Sequence, residues 1–129
     1  MKLGPLGTAT VKDSRLPGLI RGLCRHALDG ALRQLAMRWA VLSGQNLWIT
    51  VAEFDEVMDT RSRLAHATRY HLDGEGGPVS AARELCEPFL DGWNAAVHAR
   101  GGAEPKGLRE EITAAYKACT LLTEWGSEG

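Results

Sequence analysis

Five side chains of metal-binding types fall within one short region of the sequence: His66, His71, Asp55, Asp59 and Glu75. The two histidines are five positions apart, which places them roughly 140° apart on a helix, whereas two histidine ligands of one zinc ion need a common face. The spacing therefore predicts a solvated helix face with no metal site. On that outer face, Asp59 and Arg63 have the i, i+4 spacing of a favourable ion pair.

Nucleophilic and phosphate-binding motifs are missing from the sequence. Cys24, Cys86 and Cys119 each occupy an apolar position of a helical pattern, and no Cys-x-x-Cys pair occurs. Their odd number and wide spacing predict reduced core thiols. The run Gly-Glu-Gly-Gly at 74–77 lacks the Lys-Ser or Lys-Thr that follows in a phosphate-binding loop. We therefore expect no catalytic residue and no cofactor.

Arg61 falls inside an apolar stripe, beside Met58 and Leu64. One interpretation is that its aliphatic stem packs while the guanidinium reaches solvent. The other is that the charge meets an acidic partner, an interface or a ligand, because a buried guanidinium needs a counter-charge. Arg61 is therefore a candidate partner-binding residue.

Arg21, Arg25 and Arg33 fall on one side of the first helical region, and Lys12 and Arg15 come just before it. We call these five residues the basic row. Positive charges at helical spacing suit a nucleic-acid backbone. Against this, no aromatic residues are interleaved, Asp29 interrupts the row, and the overall pI is 6.4. The alternatives left open are a nucleic-acid contact, an electrostatic contact with an acidic partner, and a solvated face.

Four tryptophans make up much of the aromatic content: Trp39, Trp48, Trp93 and Trp125. An indole buries a large area and keeps one hydrogen-bond donor, so tryptophans usually mark a core or an interface. Trp39 lies in a strongly apolar helical run, and Trp48 lies on a short segment before an acidic helix. We predict that these two residues contact a partner.

Length and composition limit the classes of protein. A chain of 129 residues with 44% hydrophobic and 24% charged residues is typical of one globular domain, neither disordered nor membrane-spanning. The first residues lack the apolar run of a signal peptide, which favours a cytoplasmic location. Residues 1–50 carry seven Lys or Arg and two acids, and the rest carry eight and fourteen. The first half is therefore basic and the second half acidic.

The apolar periodicity predicts an all-α fold, a compact bundle of four to five helices with one short extended link at 47–50. We expect an irregular arm at 1–15, a single helical domain at 16–125 and a tail at 126–129. The first helix runs to Ser43, either broken at Asp29-Gly30 or continuous and touching different neighbours along its length. Its apolar set begins with Leu16, Leu19, Ile20, Leu23 and Ala27.

Capping and loop signals divide the remainder of the chain. Thr50 and Glu53 fit a capping box that opens a helix extending to Leu72. Loops are expected at 73–78 and 101–107, with a helix between them at 79–99 that Pro88 kinks. A last helix follows from Leu108, and its apolar stripe is Leu108, Ile112, Ala115, Tyr116, Cys119 and Leu122.

Residues 16–58 resemble a known family. Leu16-Pro17 with Leu19-Ile20-Arg21, a helical run, and then Trp48-Ile49-Thr50-Val51 before an acidic helix are similar to the small C-terminal helical domain of the light-independent protochlorophyllide reductase B subunit. The helix before Ile49 is about two turns longer here. The iron-sulfur ligands and catalytic residues of that enzyme lie in its other domains, so the resemblance assigns no such residue to this chain. The same layout also resembles half of a histone-type fold.

These patterns together predict a non-enzymatic helical interaction module. It would be a small subunit or a self-associating component of a larger cytoplasmic assembly, with no membrane contact. Burial of an apolar face around Trp39 and Trp48 would provide the binding energy, and the basic first helix would steer an acidic partner. The alternative is a small helical nucleic-acid-associated protein, either a backbone-binding subunit of a ribonucleoprotein or a histone-like protein.

Overall fold

The computed structural model describes residues 15–71, 77–97 and 108–125, without the side chains of Arg15 and residues 95–97. Its helices are α1 Arg15–Ser43, α2 Leu47–Asp55, α3 Thr60–Ala67, α4 Gly77–Cys86, α5 Leu90–Val97 and α6 Leu108–Glu124, with a 3₁₀ turn at Glu87–Phe89. These ranges contain no strand, which confirms the all-α prediction. They form five helical segments when α4 and α5 are counted as one kinked helix.

The long helix α1 lies at the centre of the bundle and packs against α2, α3, α5 and α6. It passes through Asp29-Gly30 without a break. Asp29 is buried, and its carboxylate accepts a hydrogen bond of 2.9 Å from the hydroxyl of Thr60 and lies 2.9 Å from the guanidinium of Arg63. Because these contacts bind the Asp29 side chain to α3, it serves as a tertiary anchor instead of forming a turn. The continuous alternative, with different neighbours along one helix, is correct.

A single cluster of buried side chains fills the space around α1. Its larger members are Leu28, Leu32, Leu35, Phe54, Leu64, Tyr70, Val79, Leu90, Trp93 and Leu122. Helix α6 runs parallel to α1, because Arg21 binds Glu111 near the start of both helices and Arg38 donates to the carbonyls of Leu122 and Trp125 near their ends. Helix α4 also packs against α6. Every described helix therefore contributes to one core.

The predicted extended link at 47–50 is wrong, because these residues form the first turn of α2. Asn46 is the N-cap of α2, and its side-chain oxygen accepts a hydrogen bond of 2.9 Å from the amide of Ile49. Thr50 lies inside the helix, where its hydroxyl donates to the carbonyl of Asn46. The cap at Asn46, four residues before the predicted capping box, outweighs the preference of Trp48 and Ile49 for extended structure.

The predicted single helix from Thr50 to Leu72 is also wrong. Helix α2 ends at Asp55 and α3 begins at Thr60. Asp59 is the N-cap of α3, and its carboxylate accepts hydrogen bonds from the amide of Ser62 at 2.9 Å and from its hydroxyl at 2.8 Å. These bonds hold the pKa of Asp59 below its usual value. A short polar cap inside an apolar stripe thus starts a new helix.

The remaining boundaries agree in part with the expectations. Pro88 lies in the 3₁₀ turn between α4 and α5, which confirms the predicted kink. The expected arm at 1–15 and loop at 73–78 are each too long, because Arg15 begins α1 and Gly77 begins α4. The rest of that arm, most of that loop, the loop at 101–107 and the tail at 126–129 lie outside the described residues.

Candidate interaction surface

Four large apolar side chains are exposed where α1 turns into α2. Val41 is 68% exposed, Leu42 46%, Trp48 79% and Ile49 58%. The first two belong to the last turn of α1 and the others to the first turn of α2, so all four lie at one corner of the bundle. We call these four residues the Trp48 surface. Met58, at the other end of α2, is also exposed.

The turn beneath the Trp48 surface has a defined hydrogen-bond pattern. The amide of Gln45 donates to the carbonyl of Ala40 at 2.9 Å, and the amide of Gly44 donates to the carbonyl of Val41 at 3.4 Å. Together with the positive φ of 77° at Gly44, these bonds form a Schellman motif, in which glycine adopts the left-handed conformation without a steric penalty. The cap at Asn46 then starts α2 at once. The chain between the two apolar pairs is therefore fixed.

Trp39 does not join Trp48 in one exposed face. Its ring is partly buried against the core and lies 5.1 Å from the ring of Tyr70. The sequence predicts one apolar surface that contains both Trp39 and Trp48. Trp39 instead packs against the core. The hydroxyl of Tyr70 lies 2.7 Å from Nε2 of His66, and burial raises the pKa of Tyr70 to about 12. His66 is half-buried, which corrects its predicted solvated position.

The side of α2 that carries Ile49 is acidic. Glu53 and Glu56 are exposed, and they follow Ile49 by four and seven positions, which places them on its side of the helix. Within the described residues, neither carboxylate lies within ion-pair distance of a basic side chain. Asp55, in contrast, is 2.9 Å from Arg33, and that hydrogen bond holds the pKa of Asp55 below its usual value.

Arg61 has acidic partners within the chain. Its guanidinium binds Glu87 and lies 3.1 Å from Asp91, so it connects α3 to the kink between α4 and α5. The hydrogen bond from Arg61 holds the pKa of Glu87 below its usual value. The counter-charge expected from sequence is therefore supplied internally. Arg61 does not lie on the Trp48 surface.

The described arginines of the basic row are also engaged within the chain. Arg21 binds Glu111, Arg33 binds Asp55, and Nε of Arg25 lies 3.9 Å from the carboxylate of Asp29. Arg63 binds Asp29 across the bundle, which replaces the predicted pair between Asp59 and Arg63. Lys12 and the side chain of Arg15 lie outside what the structure describes. A phosphate backbone would have to compete with a carboxylate at each of the three described arginines.

A buried polar network escaped the sequence analysis. Glu111 is only 5% exposed; its carboxylate accepts hydrogen bonds from Arg21 at 2.7–3.0 Å and from the indole of Trp93 at 2.9 Å. The buried face of α6 is Glu111, Ala114, Ala115, Ala118 and Leu122. The spacing of Glu111 from Ala115, Ala118 and Leu122 was the available signal, but small alanines and one acid make a weak stripe.

A second group of exposed apolar residues lies on α1 and α6: Leu19, Leu23, Ile112 and Tyr116. Their exposure corrects the predicted apolar stripes, which placed all four on buried faces. The exposed charges close to them in sequence are of mixed sign, with Arg109 and Lys117 beside Glu110. This group therefore has no dominant charge.

Side chains of metal-ligating and nucleophilic types lie scattered through the described residues. In the described ranges, no group of three or more His, Cys, Asp or Glu residues is arranged to hold a metal ion. Cys24 and Cys86 are buried, as predicted, and Cys119 is partly buried; all three are free thiols. Burial raises the pKa of Cys86 to about 12, which keeps that thiol protonated and unreactive. None of the described helices has the length and hydropathy needed to cross a membrane.

Comparison with known proteins adds no relative. A scan against protein-family models matches no family, and searches among curated proteins and solved structures find no match either. The resemblance of residues 16–58 to the protochlorophyllide reductase domain stays a prediction. Functional inference therefore depends on the surface itself.

Proposed function

We propose that this protein is a non-enzymatic helical interaction module that binds a protein partner through the Trp48 surface. In this proposal it is a small subunit of a larger cytoplasmic assembly. The observation that carries the proposal is the exposure of four large apolar side chains within nine consecutive residues, 41–49. Contiguous apolar patches on a folded chain are typical of sites that bind proteins.

Trp48 has the character of a binding hot spot. Tryptophan is enriched among interface residues whose truncation costs about 2 kcal/mol or more of binding free energy. Trp48 has 79% of its surface exposed, so almost all of its apolar area remains to be buried by a partner. The aliphatic side chains of Val41, Leu42 and Ile49 supply the surrounding contacts that exclude water.

The rigidity of the corner supports the same proposal. The Schellman motif at Gly44 and the cap at Asn46 fix the backbone on both sides of the turn. Trp39 and Tyr70 pack beneath it. A surface whose backbone is already ordered loses little conformational entropy when it binds, and this favours affinity.

The nucleic-acid alternative stays a prediction from the sequence alone. Arg21 and Arg33 are bound to carboxylates of the chain and Arg25 lies 3.9 Å from the carboxylate of Asp29, so no observation favours a phosphate contact. The same pairings give no support to the steering of an acidic partner by α1.

Trp48→Ala tests the proposed function, with Tyr116→Ala as a matched control because Tyr116 is another exposed aromatic residue at 72%. The wild-type chain and both variants are used as bait in the cells that produce the protein. Bound proteins are identified by mass spectrometry, and sedimentation reports self-association. We expect one discrete partner, or a defined oligomer, that is lost with Trp48→Ala and kept with Tyr116→Ala.

A photo-crosslinking amino acid in place of Gln45, an exposed residue between the two apolar pairs, keeps Trp48 and provides an independent check. It should form covalent links to the partner that Trp48→Ala loses, whereas the same group in place of Tyr116 should not. The proposal fails if Trp48→Ala retains every partner and every oligomer of the wild-type chain.

A further inference from the structure

We infer that the partner presents an apolar pocket rimmed by Lys or Arg side chains, and this inference rests on the proposed function of the Trp48 surface. Residues 45–60 contain four acids, Glu53, Asp55, Glu56 and Asp59, and no Lys or Arg. Arg33 neutralises Asp55, and Asp59 caps α3. Glu53 and Glu56 remain as exposed charges on the side of α2 that carries Ile49.

The position of these acids in α2 adds to the negative potential. Glu53 lies in the last turn of α2 and Glu56 is its C-cap, and that turn contains no basic residue. The C-terminal end of a helix carries a partial negative charge, so acids there are unfavourable for the isolated fold. The partial charge of the helix end and the charges of the two carboxylates are therefore all negative. A basic partner would reduce the repulsion between them.

Neighbouring cations do not cancel this potential by ion pairing. Arg63 is bound to Asp29 and to the carbonyl of Val57. Arg69 donates to the carbonyl of His66; its charge and that of Glu53 act in opposite directions on the pKa of His66. Arg69 thus reduces the field near Glu53 without forming a bridge to it.

This charge distinguishes between classes of occupant. A phosphate backbone or an anionic membrane would be repelled by Glu53 and Glu56. A symmetric dimer through the Trp48 surface would bring the same carboxylates of two copies together, because an isologous interface places each patch against itself. A different protein with an apolar site and a basic rim meets both the apolar and the electrostatic requirement. The group formed by Leu19, Leu23, Ile112 and Tyr116 has mixed charges and identifies no such occupant.

Two synthetic amphipathic helices test the inference directly. Both peptides have about five helical turns and the same leucine face, and their polar faces carry only Lys in one and only Glu in the other. Affinity is measured by calorimetry, and the site is located from amide shifts of the isotope-labelled full chain. We expect the Lys peptide to bind and to shift the amides of residues 41–56, and the Glu peptide to bind at least about tenfold more weakly.

Charge reversal supplies the matched variants. Glu53→Lys with Glu56→Lys should weaken binding of the Lys peptide about tenfold and strengthen binding of the Glu peptide. Glu84→Lys with Glu110→Lys makes the same change of net charge at two exposed acids elsewhere, and should leave both affinities within about twofold. Equal binding of the two peptides, shifts centred on Tyr116, or an equal effect of the control pair would each overturn the inference.

The natural partner separates this inference from the proposed function. If Trp48→Ala loses the partner and the Glu53→Lys, Glu56→Lys variant keeps it at full strength, the Trp48 surface is an interaction site but its partner is not basic. If Trp48→Ala keeps the partner, the proposed function itself is wrong. Loss of the partner with both variants supports both conclusions.

Discussion

Trp93 and Trp48 place the same side chain in opposite environments. Trp93 is fully buried between helices, and its indole donates to Glu111, which Arg21 also binds. Trp48 is 79% exposed, and within the described residues its indole has no acceptor. The bundle therefore buries a large aromatic group where it can also supply a polar partner for the ring nitrogen. At position 48 it leaves the indole ring exposed to solvent.

The largest expected difference between the two sites is in folding stability. Trp93→Ala leaves a large cavity and removes a hydrogen bond to Glu111, so it should lower the free energy of unfolding by about 3–5 kcal/mol. Trp48→Ala should change it by less than about 0.5 kcal/mol. Urea denaturation followed by circular dichroism measures both. If the two variants lost similar amounts of unfolding free energy, the contrast between a buried Trp93 and an exposed Trp48 would be wrong.

A smaller loss should follow from removing the charge of the buried network. Glu111→Gln keeps an acceptor near Trp93 but removes the carboxylate charge that Arg21 contacts at 2.7 Å. We expect a loss of about 2 kcal/mol, below the 3–5 kcal/mol of a fully buried pair because solvent reaches part of Arg21. Glu53→Gln, at an exposed acid, is the control and should have almost no effect. Adding Arg21→Met to Glu111→Gln should restore part of the loss, and its failure to do so would count against the pairing.

The Asp59 cap starts α3, beyond the end of α2 that lies away from Trp48. Asp59→Ala removes the acceptor for the Ser62 amide and should cost about 1 kcal/mol, whereas Asp59→Asn should retain most of the stability. Chemical denaturation of the two variants gives the comparison. Asp91→Ala, which removes an almost fully exposed partner of Arg61, is the control. If Asp59→Asn is as damaging as Asp59→Ala, the cap is not the reason for the loss.

The smallest expected effect is a dependence of folding stability on pH through His66. Burial, with a lesser contribution from Arg69, holds the pKa of His66 below its usual 6.5. As pH falls through that value the unfolded chain takes up a proton before the folded chain does, so His66 lowers stability at acid pH. Between about pH 8 and pH 5 the wild type should lose more stability than His66→Gln. Parallel pH profiles of the two proteins would exclude this role for His66.

The helical class of the fold was accessible from the sequence because apolar residues recur at three- and four-residue steps in most segments of the chain. Pro88 also indicated its kink, since proline cannot donate the helical hydrogen bond. The local caps were harder to predict. Asn46 and Asp59 each start a helix with one side chain, and a long apolar pattern concealed both starts.

The candidate surface was predicted only in part. Trp48 stood out because it is a large aromatic residue on a short segment, and its exposure agrees with that suspicion. The sequence could not separate it from Trp39, since only the packed bundle places Tyr70 against one ring and solvent against the other. It also could not show that the basic row would be neutralised, because Arg21 meets an acid ninety positions away.

The parallel pairing of α1 with α6 has a consequence for biosynthesis. Arg21 and Glu111 are separated by 90 positions, and ribosomes add about 5–20 residues per second. The buried face of α1 is therefore made roughly 5 to 18 seconds before the helix that covers it along its length. During that interval α2, α3 and α5 can already cover their parts of α1, whereas the side of α1 that packs against α6 stays exposed on the growing polypeptide.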